Sequence, residues 1–357
     1  MKNVAIVISN IQNRAGTERA VTNLANILSK YGNYKVDIIS IESSNKKQPA
    51  FELDNTVSVI NMNIAYETNP LKRIKRHVKT YVQLKQIILN NKYDILIGTE
   101  YYIIYLFAFI KINIIKIGCE HTNYDKPGIH HKILRKVFYP KMNAIVMLTK
   151  RDTEKYYFIK NKYCIPNSIS FETDNFAKYE NKTFLACGRI TYQKGFDMLV
   201  KAAVSIKAKL PDWKINIYGN GEDKETLINE IKENNLEDYI IIHDPVNDIK
   251  TVYGDSSIYL LPSRFEGLPM VLLESQAAAL PAVCFDCPEG PADVLVENKN
   301  GFLVAINDID EFAKKTIEIA QSKELWEKMS ESAKRLSQRF APESIFKLWD
   351  NLFKELS

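Results

Sequence analysis

A chain of 357 residues is long enough to bury two hydrophobic cores, and 46% hydrophobic with 25% charged residues excludes a disordered or fibrous protein. The net charge of +5 hides an asymmetry: residues 1–165 hold 26 Lys and Arg against 12 Asp and Glu, while residues 166–357 hold 22 against 31. A basic half joined to an acidic half points to one lobe that faces an anionic surface or substrate.

After Met1-Lys2 the apolar run 4–8 is too short for a signal-peptide core and reads as a first strand. Strand-like runs then alternate with helix-like ones: helix 18–30, strands 36–41 and 57–62, helix 72–90, strand 95–98, helix 103–110, strands 114–119 and 144–148. The longest apolar stretch, 101–110, is cut by Lys111 and Lys116 before it could span a bilayer, so it reads as a buried helix. From Tyr163-Cys-Ile-Pro166-Asn-Ser168 to Asn181 the chain loses its periodicity, and Pro166 marks a hinge. The rhythm restarts with strand 183–187, helix 196–209, strand 214–218, helix 225–234, strands 239–243 and 258–261, a helix from Pro269, and strand 282–285. Such alternation predicts parallel sheets covered by helices, here as two Rossmann-like lobes. A last amphipathic helix, 345–356, has no strand after it.

Five Cys occur singly except for Cys284-x-x-Cys287, and with no secretory segment ahead of them they indicate a reducing compartment and a cytoplasmic protein. The CxxC lacks a second pair for zinc and reads as buried or incidental thiols. Lys72-Arg73-Ile-Lys75-Arg76 with Lys79, and Lys132-Ile-Leu-Arg135-Lys136 with Lys141, interleave cations with apolar residues as an interfacial helix does, a solvated helix face being the bland alternative.

Two segments carry the chemistry. In Arg264-Phe-Glu-Gly-Leu-Pro-Met-Val-Leu-Leu-Glu274 the carboxylates of Glu266 and Glu274 stand eight residues apart, directly after a strand-like run. Strand, short loop and helix is the arrangement in which N–H groups at a helix start meet an anion, and Pro269 suits a first helical turn. If the segment is helical, eight residues rise roughly 12 Å and turn about 80° in projection, so both carboxylates address one side of a ligand. One can take the ribose hydroxyls of a nucleotide and the other the hydroxyls of an attached sugar; two solvated helix carboxylates are the competing account. In Gly188-Arg189-Ile-Thr-Tyr-Gln-Lys194-Gly195, two cations follow a strand and emerge at its carboxyl end, where open α/β sheets bind ligands. They suit a diphosphate; surface ion pairing is the alternative.

These segments resemble the E-x7-E and G-R-x4-K-G motifs of the family 4 glycosyltransferases, the glycosyl transferases group 1 domain, in the family's order and spacing. The resemblance covers nearly the whole chain and implies an α/β GT-B fold: two Rossmann-like domains facing across a cleft that holds the active site, with the C-terminal helix crossing back to the first domain. It implies an acceptor-side domain at 1–165, a nucleotide-sugar-binding domain at 166–341 and the returning helix at 342–357. The implied activity is that of a retaining hexosyltransferase-type enzyme in surface polysaccharide or glycoconjugate synthesis. It would move a sugar from a nucleotide donor, UDP-linked, to a hydroxyl of a glycan or lipid-linked glycan. A sugar-nucleotide epimerase of the same architecture and a non-catalytic two-lobed sugar-binding protein are the alternatives.

By the same resemblance His121, Arg189, Lys194 and Glu266 act in catalysis, and Arg189, Lys194, Glu266, Leu268, Met270, Val271 and Glu274 line the donor. Gly16 joins them from Asn13-Arg-Ala15-Gly16-Thr-Glu-Arg19, which is similar to the family's G-G-x-E-R except that Ala15 replaces one Gly; Gly16 otherwise merely permits a turn. Gly221, in Gly219-Asn-Gly221, matches a nucleotide-lining loop, although a tight turn explains it adequately. Val246 matches a base-contacting backbone position, and a lone His121 is otherwise more often structural. Asp308-Ile-Asp310 imitates a manganese motif yet sits where Asp caps a helix, so no metal and no cofactor beyond the donor substrate are expected. The expected partners are the donor, the acceptor and an anionic membrane surface met by the basic first domain, with no nucleic acid.

Overall fold

The computed structural model describes residues 1–42, 48–125, 128–246 and 248–357, and the chain divides into two compact units, residues 1–170 with 342–357 and residues 171–341. The first unit runs β1 (Lys2–Ile8), α1 (Gly16–Tyr31), β2 (Tyr34–Ser40), β3 (Ser58–Asn61), α2 (Pro70–Asn91), β4 (Ile95–Gly98), α3 (Tyr101–Phe107), β5 (Ile115–Glu120), α4 (Ile129–Phe138), β6 (Ala144–Met147), α5 (Lys150–Lys155) and β7 (Lys162–Cys164). All seven strands are parallel, in the order β3-β2-β1-β4-β5-β6-β7. A parallel sheet is covered on both faces, which is why residues 4–8 of its central strand are apolar without interruption. Alternate side chains divide between two cores. Val4, Ile6 and Ile8 pack with Val21, Leu24 and Leu28 of α1, while Ala5 and Val7 meet Leu84 and Ile88 of α2 and Ile103, Ile104 and Phe107 of α3. The stretch expected as a buried helix is thus α3, and no helix among the described residues is long and apolar enough to cross a membrane.

The second unit repeats the pattern: β8 (Thr183–Cys187), α6 (Phe196–Lys209), β9 (Lys214–Tyr218), α7 (Lys224–Glu233), β10 (Ile240–His243), α8 (Ile249–Gly254), β11 (Ile258–Leu261), α9 (Met270–Ala277), β12 (Ala282–Phe285), α10 (Pro291–Val294), β13 (Gly301–Val304), α11 (Ile309–Gln321) and α12 (Lys323–Ser337). Its six parallel strands run β10-β9-β8-β11-β12-β13. The last helix, α13 (Pro342–Glu355), returns to the first unit. There Ile345, Trp349, Leu352 and Phe353 complete the core over α1, and Tyr34 donates to Asp350 Oδ1 at 2.7 Å.

The basic clusters are not uniformly solvent-facing: Arg76 pairs with Glu42 and its side chain is only 9% exposed, while Arg135 is wholly buried against Glu120. A guanidinium inside the fold is held by a carboxylate there, so neither is available to an external anion. Nor is 266–274 one helix. Pro269 is the N-cap of α9, with ψ of 104°, and leaves Glu266 in the loop that follows β11.

Candidate active site

In the second sheet the strand order reverses between β8 and β11, and in open α/β sheets the crevice outside the carboxyl ends at such a reversal binds ligands. The loops leaving those two strands meet there. Lys194, in the turn after β8, places Nζ 2.6 Å from Glu266 Oε1 in the loop after β11, and Ser263 Oγ donates to the same oxygen at 2.7 Å. Glu266 is 7% exposed and Lys194 15%, so this ion pair is shielded more than a surface pair yet remains reachable.

The two loops are locked by further bonds. Arg264 N donates to Gln193 O at 2.9 Å and Gln193 Nε2 to Phe265 O at 3.0 Å. The Arg264 guanidinium grips Asp197 of α6 through both terminal nitrogens, at 2.8 and 2.6 Å, and lies over the Tyr192 ring. Bidentate pairing of this kind fixes direction as well as distance. Between them Gly195 sits at φ 64°, where a Cβ would stand 2.1 Å from Pro262 O. Only glycine allows the turn carrying Lys194 to lie this close to the backbone leading to Glu266.

Leu268 stands just before the N-cap of α9, and Met270, Val271 and Glu274 lie on the helix. Among the described residues the N–H groups of Leu268, Met270 and Val271 have no acceptor, as expected around the start of a helix without a side-chain cap. Glu274, one turn on, is fully buried, and Oε2 accepts from Tyr253 OH at 3.0 Å. The two carboxylates therefore reach the region from different elements rather than from one helical face.

Arg189 is exposed just past β8 and has no ion-pair partner among the described residues. Gly221 has no positive φ; a Cβ there would lie 2.1 Å from Ile190 O, so close packing of the β9 loop against the β8 loop requires the glycine, not a tight turn. Val246 is 38% exposed beyond β10. Asp308 caps α11, accepting from Glu311 N at 3.0 Å, and no group of three or more ligating side chains gathers among the described residues. Cys284 and Cys287 are free and buried, and burial pushes the Cys287 thiol up to about 12.

In the first unit Gly16 opens α1 after β1 with nothing within 4 Å of where its Cβ would be, and Ala15, the N-cap, supplies no side-chain bond. His121 follows β5, lines a small cavity with Leu24, Cys119, Pro166, Ser168 and Trp349, and sets Nε2 3.5 Å from Cys119 Sγ. Enclosure lowers its pKa to about 4, so the ring is neutral at physiological pH. The turn that carries it is clamped by Arg135 of α4. Nη2 donates to Glu120 Oε2 and Nη1 to Tyr124 O, each at 2.8 Å, so one guanidinium grips the chain on both sides of His121. Tyr139 also donates to Glu120, and Asp152 accepts from Tyr124 N at 2.9 Å. Burial raises the Glu120 carboxyl, with Arg135 opposing.

Sequence reasoning missed Ser263, Tyr253, the Arg264–Asp197 tie and Arg135. Of these only Arg264, inside the motif segment, and Asp197, three residues past Lys194, carried a positional hint.

The glycosyl transferases group 1 family model matches residues 170–336. An uncharacterized glycosyltransferase of Haemophilus influenzae is 32% identical over 99% of this chain and 100% of its own length. The amylovoran biosynthesis glycosyltransferase AmsD of Erwinia amylovora is 29% identical over 99% of each. In structure, S. aureus TarM in complex with fondaparinux, alpha-GlcNAc-glycerol and UDP superposes with a TM-score of 0.82 at 16% identity, covering 99% of this chain and 100% of that one. The fold is GT-B, and the chain belongs to the group 1 glycosyltransferases.

Proposed function

We propose that this glycosyltransferase is a family 4 enzyme that takes its sugar from a UDP-linked donor with retention of configuration. Its acceptor is a hydroxyl of a glycan or lipid-linked glycan in surface polysaccharide or glycoconjugate synthesis. The carrying observation is the meeting of Lys194 and Glu266 where the strand order reverses between β8 and β11. A diphosphate seated beside Lys194 and Arg189 gains charge as its bond to the sugar breaks, and preorganised cations stabilise that charge most in the transition state. The open N–H groups of Leu268, Met270 and Val271 suit the same anion. Glu266, tied by Lys194 and Ser263, suits the sugar hydroxyls. Glu274 suits the ribose hydroxyls, which share it with Tyr253.

The bond from the anomeric carbon to the diphosphate breaks and the bond from the acceptor oxygen forms on the same face, while the acceptor proton passes to a departing phosphate oxygen. No carboxylate nucleophile is needed, and the chain's own contribution is orientation and charge. Gly16, His121, Gly221 and Val246 belong to the donor set by the resemblance. The glycosyltransferase names of the relatives support transfer over epimerisation or sugar binding without turnover, and the UDP in the TarM complex supports the choice of nucleotide. No metal is assigned, since Asp308 is engaged as a cap. Five cysteines that form no disulfide among the described residues favour a cytoplasmic location.

Calorimetric titration with UDP tests the assignment. Glu274→Ala should weaken UDP binding by about 1.5–3 kcal/mol, the range of a hydrogen bond to a charged group. Glu266→Ala should spare UDP and impair sugar transfer. Equal losses in UDP affinity would overturn this division of labour.

A further inference from the structure

Over α2 and α4 the surface of the first unit departs from that of an ordinary globular domain. On α2 the side chains of Ile74, Val78, Val82 and Leu89 are each more than half exposed, and on α4 so are Ile129, Ile133 and Val137. Their spacing of four residues, or near a whole number of turns, lines each set along one side of its helix. The α2 stripe is about 22 Å long at 1.5 Å per residue. Neither helix contains a single Asp or Glu, and exposed Lys72, Lys75, Lys79 and Lys85 on α2 and Lys136 on α4 border the stripes.

The two helices present one surface because α3 lies between them. His77 of α2 stacks on Tyr102, Tyr102 meets Tyr101, and Tyr101 lies 4.3 Å from His131 of α4. Beyond the end of α3, Tyr81 of α2 donates to Phe109 O at 3.2 Å, and the exposed Phe109 ring lies 5.4 Å from Phe138 of α4, with Lys141 over both rings. α2 and α3 pack into one core over the sheet, and Tyr139, directly after α4, enters that same core.

We propose that this α2–Phe109–α4 surface docks the enzyme on an anionic lipid bilayer, the aliphatic stripes entering the headgroup boundary and the bordering lysines meeting lipid phosphates. Aliphatic residues ranked along a helix with long cations beside them are the pattern of interfacial helices, and lysine stems extend along apolar surface while their heads reach charge. A second copy of the chain is a poor occupant, since it would set two lysine-bearing helices without an Asp or Glu against their like. Arg76 and Arg135 take no part, being held by Glu42 and Glu120. The proposal rests on the reading that the acceptor is lipid-linked, which brings enzyme and membrane together.

The test is sedimentation with vesicles of phosphatidylcholine alone or mixed with phosphatidylglycerol, at low and moderate ionic strength, beside donor hydrolysis and Tm for each variant. The full chain should bind the anionic vesicles and be released as salt rises. Lys75→Gln with Lys79→Gln should weaken that binding roughly thirtyfold, from about 1 kcal/mol per cation near the surface. Ile133→Ser with Val137→Ser should remove the salt-resistant remainder. Both double variants alter exposed side chains and should keep Tm and donor hydrolysis. Indifference of the full chain to lipid charge would overturn the proposal, as would variants that bind like the full chain. So would dimerisation in solution abolished by Ile133→Ser with Val137→Ser, which would assign the face to a second copy. Absence of donor hydrolysis with vesicle binding intact would instead count against the transferase reading alone.

Discussion

Lys194 Nζ and Glu266 Oε1 lie 2.6 Å apart although 72 residues separate them in the chain, and the contact joins the two loops that leave the sheet at its reversal of strand order. Each therefore positions the other. Lys194→Ala should lower kcat more than it raises KM, because the diphosphate gains charge only as the glycosidic bond breaks. Steady-state kinetics with a UDP-sugar would show it; a change confined to KM would make Lys194 a ground-state binder.

Gly195 and Gly16 make a matched pair of tests. Gly195→Ala forces a methyl group against Pro262 O at a left-handed φ and should cost on the order of 1–3 kcal/mol, with loss of turnover as the Glu266 loop shifts. Gly16→Ala meets open space in a helix and should leave Tm unchanged or higher, by up to about 1 kcal/mol of stability. If a donor phosphate approaches the backbone there, the variant should still lose activity. Thermal unfolding beside donor hydrolysis separates the two effects.

Much of this was legible in the chain. Uninterrupted apolar runs such as 4–8 and 258–261 betray strands buried on both faces, and the spacing of cations and carboxylates drew attention to Lys194 and Glu266. What escaped did so for physical reasons. β7 is Lys-Tyr-Cys at a sheet edge, half-buried, with no apolar pattern to announce it. Arg135 reads in sequence as one more cation of a basic helix, because its carboxylate partner lies 15 residues away on another element. That Glu266 precedes α9 depends on the backbone angle at Pro269, which can equally begin a helix or stand before one.

Arg135 should matter beyond its charge. Arg135→Gln leaves Glu120 buried without its cation and should destabilise the fold by about 3–5 kcal/mol, whereas pairing it with Glu120→Gln should recover part of the loss. A thermodynamic double-mutant cycle from denaturant unfolding measures the coupling; additive losses would contradict the clamp.

His121 gives a pH signature. Its folded pKa is depressed to about 4 by enclosure, while the unfolded side chain takes a proton near its ordinary value of about 6.5. Between those values the unfolded chain holds more protons, so stability falls as pH drops from about 6.5 to about 4. His121→Phe should flatten that part of the Tm profile. An unchanged profile would mean that the ring is not enclosed in solution.

Transfer from a nucleotide sugar at the β8–β11 reversal is measured by release of free nucleotide from a panel of UDP- and GDP-sugars, with EDTA present. Slow release of UDP from one UDP-sugar is expected, insensitive to the chelator and abolished by Lys194→Ala. Release from no donor, release unaffected by Lys194→Ala, or conversion of the donor to an epimer without free nucleotide would contradict it.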